Sequence, residues 1–181
     1  MTSTETQQEE RVVRQIQVGR HTIRPFDILD STITQSFIDS VKTHIDTWDD
    51  NSRLAPSQSI SDLLSGNHIL YTIDEGRGFI WFSGVQPGFQ ASVHASIRSL
   101  RLAGRDDVFH ATCSLASYHL GLQRIYAIIP DWKAGAIKTT ARLMTYEGTM
   151  RSSLLYHATW RDGHLFSLIR PELPPIGDEE A

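Results

Sequence analysis

The sequence is short of cysteine, of long apolar segments and of positive charge. Cys113 is the single cysteine among 181 residues, which excludes an intramolecular disulfide and a cysteine-rich zinc site. The chain has 17 Lys and Arg against 21 Asp and Glu, and a net charge of −4 disfavours a general nucleic-acid-binding protein. No apolar run approaches the roughly 18 residues of a membrane-spanning helix, and the polar stretch 1–10 lacks a signal peptide's apolar segment. We therefore expect a cytoplasmic protein that binds neither nucleic acid nor membranes.

The composition is that of one globular domain. Hydrophobic residues make up 40% of the chain and charged residues 21%, and a chain of this length can bury a packed core. Residues 1–10 contain nothing apolar after Met1, and Pro174 opens an acidic C-terminal stretch. We predict a flexible tail at 1–10, one domain at 11–173 and a flexible acidic tail at 174–181. The eight histidines include no pair four residues apart, so no metal site is predicted.

Hydrophobic spacing in the first half predicts two helices among several strands. Apolar residues recur every three or four positions from Ile33 to Trp48, after a capping residue at Asp30 or Ser31, as on one face of a helix. A second, shorter helix is predicted at 59–64. The strands predicted in this half are 12–18, its extension 21–25, 68–73, 78–82 and 90–97.

The second half alternates helices with strands. Asp106 or Asp107 caps a predicted helix that ends at Gly121. The other elements predicted here are the strand 124–129, the helix 132–144 and the strands 150–157 and 165–169. The resulting order β, α, α, β, β, β, α, β, α, β, β predicts an α+β fold with a twisted mixed central sheet flanked by helices.

The segment from Val108 to Glu172 contains three recognisable sequence motifs. They are Leu120-Gly-Leu-Gln-Arg-Ile-Tyr-Ala127, Tyr146-Glu-Gly-Thr-Met-Arg151 and Trp160-Arg-Asp-Gly-His-Leu-Phe-Ser-Leu168. With the strand and helix between them, these motifs resemble those of the GNAT superfamily of acyl-CoA N-acyltransferases, in particular the branch that acetylates N-terminal amines of ribosomal proteins. The short motif Ile129-Pro-Asp-Trp132 resembles the sequences of GNAT-like proteins encoded by tailed bacteriophages. The resemblance implies the GNAT fold over residues 12–172, with a V-shaped opening between the strands 90–97 and 124–129.

The same resemblance implies acetyl-CoA as the cofactor. In the family, a loop of pattern Gln/Arg-x-x-Gly-x-Gly/Ala leads into a helix whose amides hold the pyrophosphate. Arg101-Leu-Ala-Gly-Arg-Asp106 fits this pattern at Arg101 and Gly104 and departs from it at Asp106, while Lys133-Ala-Gly-Ala136 replaces the family's Asn-x-x-Ser. By resemblance, the predicted cofactor-binding residues are Ala95, Ser96, Ile97, Arg98, Arg101, Gly104, Arg105 and Lys133.

The chemistry that the resemblance implies needs a proton acceptor for the amine and a proton donor for the departing thiolate. His94 lies where the strand 90–97 should open, and the ordinary pKa of an imidazole suits a general base. Its alternative role is that of a sheet residue bonded to a neighbour. Tyr126 and Tyr146 are the candidate proton donors, and each has ordinary packing as its alternative role.

Two functions follow from the resemblance. The first is a GNAT-like N-acetyltransferase that transfers an acetyl group from acetyl-CoA to a protein N-terminus, a lysine or a small amine. The alternative is a catalytically silent GNAT-fold structural or binding protein, such as a bacteriophage virion component, or a protein that senses acyl-CoA. A phage origin would add virion association to the expected cytoplasmic location. The late strands, rich in Leu154, Leu155 and Tyr156, predict a homo-oligomer.

Overall fold

The computed structural model describes residues 15–44, 56–65, 68–97 and 104–173. Within them lie eight strands: β1 (Ile16–Val18), β2 (His21–Pro25), β3 (Ile69–Ile73), β4 (Gly78–Gln86), β5 (Gln90–Ser96), β6 (Arg124–Pro130), β7 (Thr145–Tyr156) and β8 (Thr159–Ile169). The helices in the same residues are α1 (Ser31–His44), α2 (Pro56–Leu64), α3 (Arg105–Leu120) and α4 (Ala134–Leu143). None of these helices has the length and apolar character needed to cross a membrane.

The eight strands form one sheet in the order β1-β2-β3-β4-β5-β6-β8-β7. Every neighbouring pair among the described strands is antiparallel except β5 and β6, so the predicted mixed sheet is confirmed. The parallel pairing joins only three residue pairs, from Gln90 with Arg124 to Ser92 with Tyr126. Beyond these pairs β5 runs on to Ser96 and β6 to Pro130, each without the other, so the two strands leave an opening between them.

Helices cover both faces of the sheet. One face, which we call the α3 face, packs against α3 and α4 through a core that includes Phe82, Val108 and Phe166. The other, the α1 face, packs against α1 and α2 through Phe37 and Trp81. The regular spacing in α1 places its apolar residues in this second core, as predicted. The α3 face therefore supports the whole middle of the sheet, while the α1 face is covered mainly over β3 and β4.

The last two strands are much longer than their sequence pattern indicates. They occupy Thr145–Tyr156 and Thr159–Ile169, and His157 and Ala158 turn between them with positive φ angles of 49° and 58°. β7 forms an edge of the described sheet, and most of its first eight residues are exposed on both sides. An edge strand of this kind lacks the alternation of buried and exposed residues that reveals a strand in sequence.

Several other boundaries also differ from the predicted ones. The helix α2 begins at Pro56 rather than at residue 59, β4 extends to Gln86, and α4 begins at Ala134 rather than at residue 132. The predicted tails 1–10 and 174–181, the strand residues 12–14 and the helix residues 45–48 lie outside the described residues. The tails and the domain limits between them therefore stay predictions.

Candidate functional site

The site is built around the opening between β5 and β6. Antiparallel pairing with β4 holds the other edge of β5 as far as Ser96, so residues 93–96 are fixed although they have left β6. Ala95 and Ser96 lie on this fixed segment, and Ile97 follows it with its side chain in the core. The hydroxyl groups of Ser40 on α1 and Ser96 lie 2.5 Å apart, which ties the end of β5 to a helix. The opening therefore has a rigid first wall.

His94 lies on this wall, on the α1 face. Its ring is stacked on Trp81 of β4, with centroids 5.3 Å apart and planes at 9°. Its Nε2 atom is 2.9 Å from Ser83 Oγ and 3.5 Å from Ser92 Oγ. The structure is therefore compatible with both predicted roles of His94, the general base and the sheet residue bonded to a neighbour.

The charge state of His94 is shifted toward the neutral imidazole. Desolvation lowers the pKa of His94 to about 4, with smaller contributions from His68, when that ring is protonated, and from the positive charge of Lys133. The ring is also exposed to solvent, so water offsets part of this desolvation, and we place the pKa between about 4 and the ordinary value of 6.5. In either limit His94 is neutral and able to accept a proton at pH 7.

Tyr126 lies on the second wall, on the same face as His94. It is paired with Ser92 of β5 and with Ser167 of β8. The Arg124 guanidinium lies 5.9 Å from the centroid of the Tyr126 ring. The structure therefore brings Tyr126 to the same side of the sheet as His94, at the point where the strands begin to separate.

Glu147 is a residue of this face that the sequence did not single out. A bulge between Tyr146 and Gly148 turns its side chain toward β6 and β8. There its carboxylate accepts hydrogen bonds from Ser167 Oγ and from Arg124. Only the irregular register of β7 places a carboxylate here, and no sequence motif signals such a register shift. Because Arg124 pairs with it, Glu147 is a neutralised anchor beside Tyr126 rather than a free base.

Tyr146 lies away from the opening. It is on the edge strand β7, two strands from β6, and it packs on Phe166, whose side chain belongs to the α3 face. Its hydroxyl is 2.7 Å from Thr149 Oγ1, and its ring lies 6.0 Å from His164. The structure therefore does not bring Tyr146 together with His94 and Tyr126.

The start of α3 supplies a group of backbone amides, and Gly104 before it lies against the His21 ring of β2. Gly104 precedes the helix with φ of 85°, a left-handed conformation that favours glycine, and its carbonyl accepts the first helical bond, from Val108 N. The amides of residues 105–107 therefore precede the first intrahelical bond, as at any helix N-terminus. Arg105 is the first residue of this helix. Such a terminus suits an anion electrostatically.

The carboxylate of Asp106, in this same first turn, is neutralised by a partner. Arg142 of α4 donates from Nε and Nη2 to the two oxygens of Asp106, at 2.9 and 2.8 Å. A bidentate pair of this geometry holds the carboxylate toward α4. Arg142 therefore compensates the negative charge that Asp106 adds by its departure from the family pattern, while Asp107, in the same turn, is exposed.

Lys133 lies at the end of the second wall, at the N-cap position of α4. Its carbonyl accepts hydrogen bonds from Ala136 N and Ile137 N, and its positive charge acts on His94. Arg98 and Arg101 lie outside the described residues. Their cofactor contacts stay predictions, as do those of the described candidates.

The described residues contain no cluster of three or more His, Cys, Asp or Glu side chains suited to a metal ion. Cys113 lies on α3, fully buried in the core, where desolvation raises the pKa of its thiol. Neither feature adds a reactive group to the opening.

Neither a protein-family model nor a curated protein sequence matches the chain. Solved structures, by contrast, match nearly all of it. Ribosomal-protein-S5-alanine acetyltransferase from Vibrio fischeri is 15% identical, with a TM-score of 0.65 over 90% of this chain and 100% of that one. RimJ from Mycobacterium smegmatis, solved in complex with CoA-disulfide, is 19% identical, with a TM-score of 0.62 over 85% of this chain and 84% of its own.

The likeness extends to an enzyme with a different acceptor. A variant of spermidine N-acetyltransferase SpeG from Vibrio cholerae is 10% identical, with a TM-score of 0.64 over 84% of this chain and 95% of that one. At these identities the likeness concerns the fold. The central sheet, its opening and the helices on both faces together show that this chain has the GNAT fold, as its sequence resemblance implies.

Proposed function

We propose that the protein is an acyl-CoA-dependent N-acetyltransferase that acetylates a primary amine. The observation that carries this proposal is the divergence of β5 and β6 after three paired residues, with His94 on one wall of the opening. A neutral imidazole beside an open strand edge, together with a helix N-terminus that suits phosphates, provides what amine acylation by a thioester requires. The GNAT fold of the chain supports the same proposal.

The residues present fit acetyl-CoA. The N-terminal amides of α3 suit the pyrophosphate, because Gly104 allows the close approach of backbone and Arg142 neutralises Asp106. The unpaired edge of β5 at Ala95 and Ser96 offers backbone groups to the pantetheine arm, and Lys133 approaches from the other wall. When bound, acetyl-CoA supplies the activated acetyl group.

His94 acts as the general base in this proposal. Its neutral form at pH 7 accepts a proton from the acceptor amine, which must lose one to become an amide nitrogen. Tyr126 lies on the opposite wall and on the same face as His94, so it is the better placed of the two candidate proton donors. Tyr146 would reach the thiolate only from two strands away and on the other face.

The acceptor approaches on the α1 face, past α1, α2 and the β7–β8 hairpin. On this face the hairpin presents Leu154 and Arg161, and Tyr156 stacks on Trp132 at 4.2 Å. Asp131, which directly follows β6, anchors Arg161 through both carboxylate oxygens. These contacts hold the hairpin beside the opening, where a protein N-terminus, a lysine or a small amine would enter.

Isothermal titration with acetyl-CoA tests the proposal first, with desulfo-CoA and ATP as comparisons. We expect micromolar binding, about −8 kcal/mol, which Arg101→Glu and Gly104→Val abolish. Acetyl transfer to a panel of amines, with and without His94→Gln, then tests catalysis. Binding without turnover would favour an acyl-CoA sensor, and no binding at millimolar ligand would favour a catalytically silent structural or binding protein.

A further inference from the structure

The opening between β5 and β6 widens toward one end of the sheet. The two strands pair at residues 90–92 with 124–126 and then diverge toward their C-terminal ends. Phe79, the second residue of β4, pairs with Ser96, the last residue of β5. The turn between β3 and β4, residues 74–77, therefore lies at the end of the sheet toward which the opening widens.

A buried histidine lies between this turn and the start of α3. His21 of β2 is 4% exposed, and its Nδ1 atom is 2.6 Å from Asp74 Oδ2 in the turn. A Cβ built on Gly104 would lie 3.3 Å from His21 Cδ2 and 3.5 Å from His21 Nε2. Apart from the chain neighbours of Gly104, no other residue that the structure describes comes within 4 Å of that point. The ring therefore fills the space where a side chain at position 104 would begin.

Asp74 fixes the orientation of this ring. Burial raises the pKa of Asp74, but its hydrogen bonds to His21 and Thr22 outweigh burial and lower it, so the carboxylate is ionised at pH 7. An ionised carboxylate only accepts hydrogen bonds, so His21 Nδ1 carries a hydrogen and donates it to Asp74. This bond directs Cδ2 and Nε2 of the ring toward Gly104. Arg20 Nε, 3.5 Å from His21 Nε2, is at the limit of a hydrogen bond.

The turn that carries Asp74 is held from two sides. Thr22 N of β2 donates to Asp74 Oδ1. On the other side, a Cβ at Gly76 would lie 3.2 Å from Ser36 Cβ, so the turn packs directly against α1. Asp74 and Glu75 have left-handed φ angles of 49° and 56°, a conformation that persists in residues with a side chain where the surrounding structure holds it. The carboxylate that orients the ring therefore belongs to a well-held turn.

We propose that His21, held by Asp74, is a positioning residue for the phosphate-binding end of α3. The inference rests on the proposed function, in which the amides of residues 105–107 hold the pyrophosphate of acetyl-CoA. Gly104 leads into these amides with φ of 85°, which favours glycine, and its contact with the ring sets the position of this backbone. His21 acts on the cofactor only through Gly104, since hydrogen bonds from the amides weaken when their distance or angle changes.

His21→Asn separates the two contacts of the ring. The amide nitrogen of asparagine takes the place of Nδ1 and donates to Asp74, but the shorter side chain lacks the atoms that lie against Gly104. We expect titration calorimetry of the full chain with desulfo-CoA to give a Kd about tenfold higher than that of the wild type, equivalent to about 1.4 kcal/mol. Ile23→Val, two residues along β2 and in the core of the α3 face, is the matched control and leaves the Kd unchanged.

A titration with pantetheine distinguishes positioning from a general loss of structure. Pantetheine has the arm of CoA but no phosphates, so its proposed contacts are to β5 at Ala95 and Ser96. Nitrogen-15 NMR follows these two amides, and we expect the same shifts at the same pantetheine concentrations in the wild type and in His21→Asn. Equal weakening of pantetheine and desulfo-CoA would overturn the role of His21, and so would an unchanged Kd for desulfo-CoA.

A double-mutant cycle tests the contact without a ligand. Gly104→Ala lowers the urea midpoint through the left-handed φ at this position and through the contact of the added Cβ with His21. His21→Asn removes only the contact, so we expect Gly104→Ala to lower the midpoint less in that background than in the wild type. Equal losses in both backgrounds would overturn the role of His21 alone. A wild type that binds neither desulfo-CoA nor pantetheine would overturn the proposed function, and the role of His21 with it.

Discussion

At the scale of the residue, His94 is exposed on the sheet yet resists protonation. Its stacking on Trp81, its bond to Ser83 and the nearby positive charge of Lys133 all act on one imidazole. A histidine in ordinary solvent would be partly protonated near pH 6.5 and lost as a base there. In this protein the neutral form persists to lower pH.

The pH dependence of kcat follows from this shift. Activity falls as pH decreases through the pKa of His94, so the midpoint of the acid limb lies below 6.5. In Lys133→Gln a positive charge that opposes protonation is gone, and the midpoint moves to higher pH. Measurement of kcat from pH 5 to 9 at saturating acetyl-CoA checks both statements. An acid limb centred above 7 would contradict them.

A second residue-scale prediction concerns the buried pair of His21 and Asp74. His21 Nδ1 is 2.6 Å from Asp74 Oδ2, and Thr22 N donates to Asp74 Oδ1. Partial burial raises the pKa of Asp74, but these hydrogen bonds and the charges of His21 and Arg77 outweigh burial and lower it below 3.8. A lowered carboxyl pKa stabilises the fold above the unfolded value, and this stability is lost as pH falls through the folded pKa.

Asp74→Asn is therefore expected to reduce the free energy of unfolding at pH 7 by about 1–3 kcal/mol. The difference from the wild type shrinks below pH 4, where the wild-type carboxyl also becomes neutral. Urea unfolding at pH 7 and at pH 3 measures both values. An equal loss at both pH values would assign the effect to packing instead of charge.

Gly163 illustrates a constraint of space instead of charge. A Cβ at this position would lie 2.7 Å from Ile128 Cγ2 and 2.8 Å from Ser153 Oγ. Gly163→Ala is expected to lower the free energy of unfolding by about 1–3 kcal/mol through overpacking. Gly135→Ala in α4, where a Cβ meets no atom within 4 Å, is the matched control and raises it by roughly 0.5–1 kcal/mol. Equal urea midpoints for the two variants would contradict this account.

At the scale of the element, the pair Asp106–Arg142 joins the first turn of α3 to the last turn of α4. Both side chains are substantially exposed, so the pair adds little to stability. Its consequence is electrostatic, because it neutralises a carboxylate at the helix end proposed to bind phosphates.

Arg142→Ala is expected to weaken acetyl-CoA binding about threefold to fivefold at low salt, equivalent to roughly 1 kcal/mol. Asp106→Asn in the same background restores the wild-type Kd, since the carboxylate that Arg142 neutralises is then gone. Titration calorimetry at two salt concentrations measures the change, which should shrink as salt screens the charge. Failure of Asp106→Asn to restore binding would show that Arg142 acts in another way.

The elements that the sequence predicted well are those with one buried face. The four-residue spacing from Ile33 to Val41 predicted α1, and the apolar run at 124–129 predicted β6. Residues 145–149 belong to an edge strand with a bulge, and no periodic pattern marks them. For the same reason Glu147 could not be recognised as a neighbour of Tyr126.

The site was predictable only where local sequence determines geometry. The position of Gly104 before a capped helix identifies the N-terminus of α3. The partnership of Asp106 with Arg142, 36 residues later, depends on how α3 packs against α4 and has no local signal. Likewise, the resemblance drew attention to both tyrosines, but only the strand order separates Tyr126 from Tyr146.

At the scale of the whole molecule, ligand binding should be visible as thermal stabilisation. Acetyl-CoA at about one hundred times its Kd adds about 2.7 kcal/mol, which raises Tm by about 5–10 °C for a chain of this size. Desulfo-CoA should give a comparable shift, because the proposed contacts are to phosphates and pantetheine, and ATP should give a smaller one. Scanning fluorimetry measures all three. An unchanged Tm at millimolar acetyl-CoA would contradict the proposed cofactor.

The single parallel pairing in the described sheet also has a mechanical meaning. It divides the sheet into two antiparallel plates, β1–β5 and β6–β8, joined edge to edge by three residue pairs and bridged by α3. The seam is as short as the pairings of β1 with β2 and of β2 with β3, but among the described strands it is the one beside which two strands diverge. The width of the opening, and with it the size of acyl group that the proposed site would admit, therefore depends on three residue pairs and on the helix that bridges the two plates.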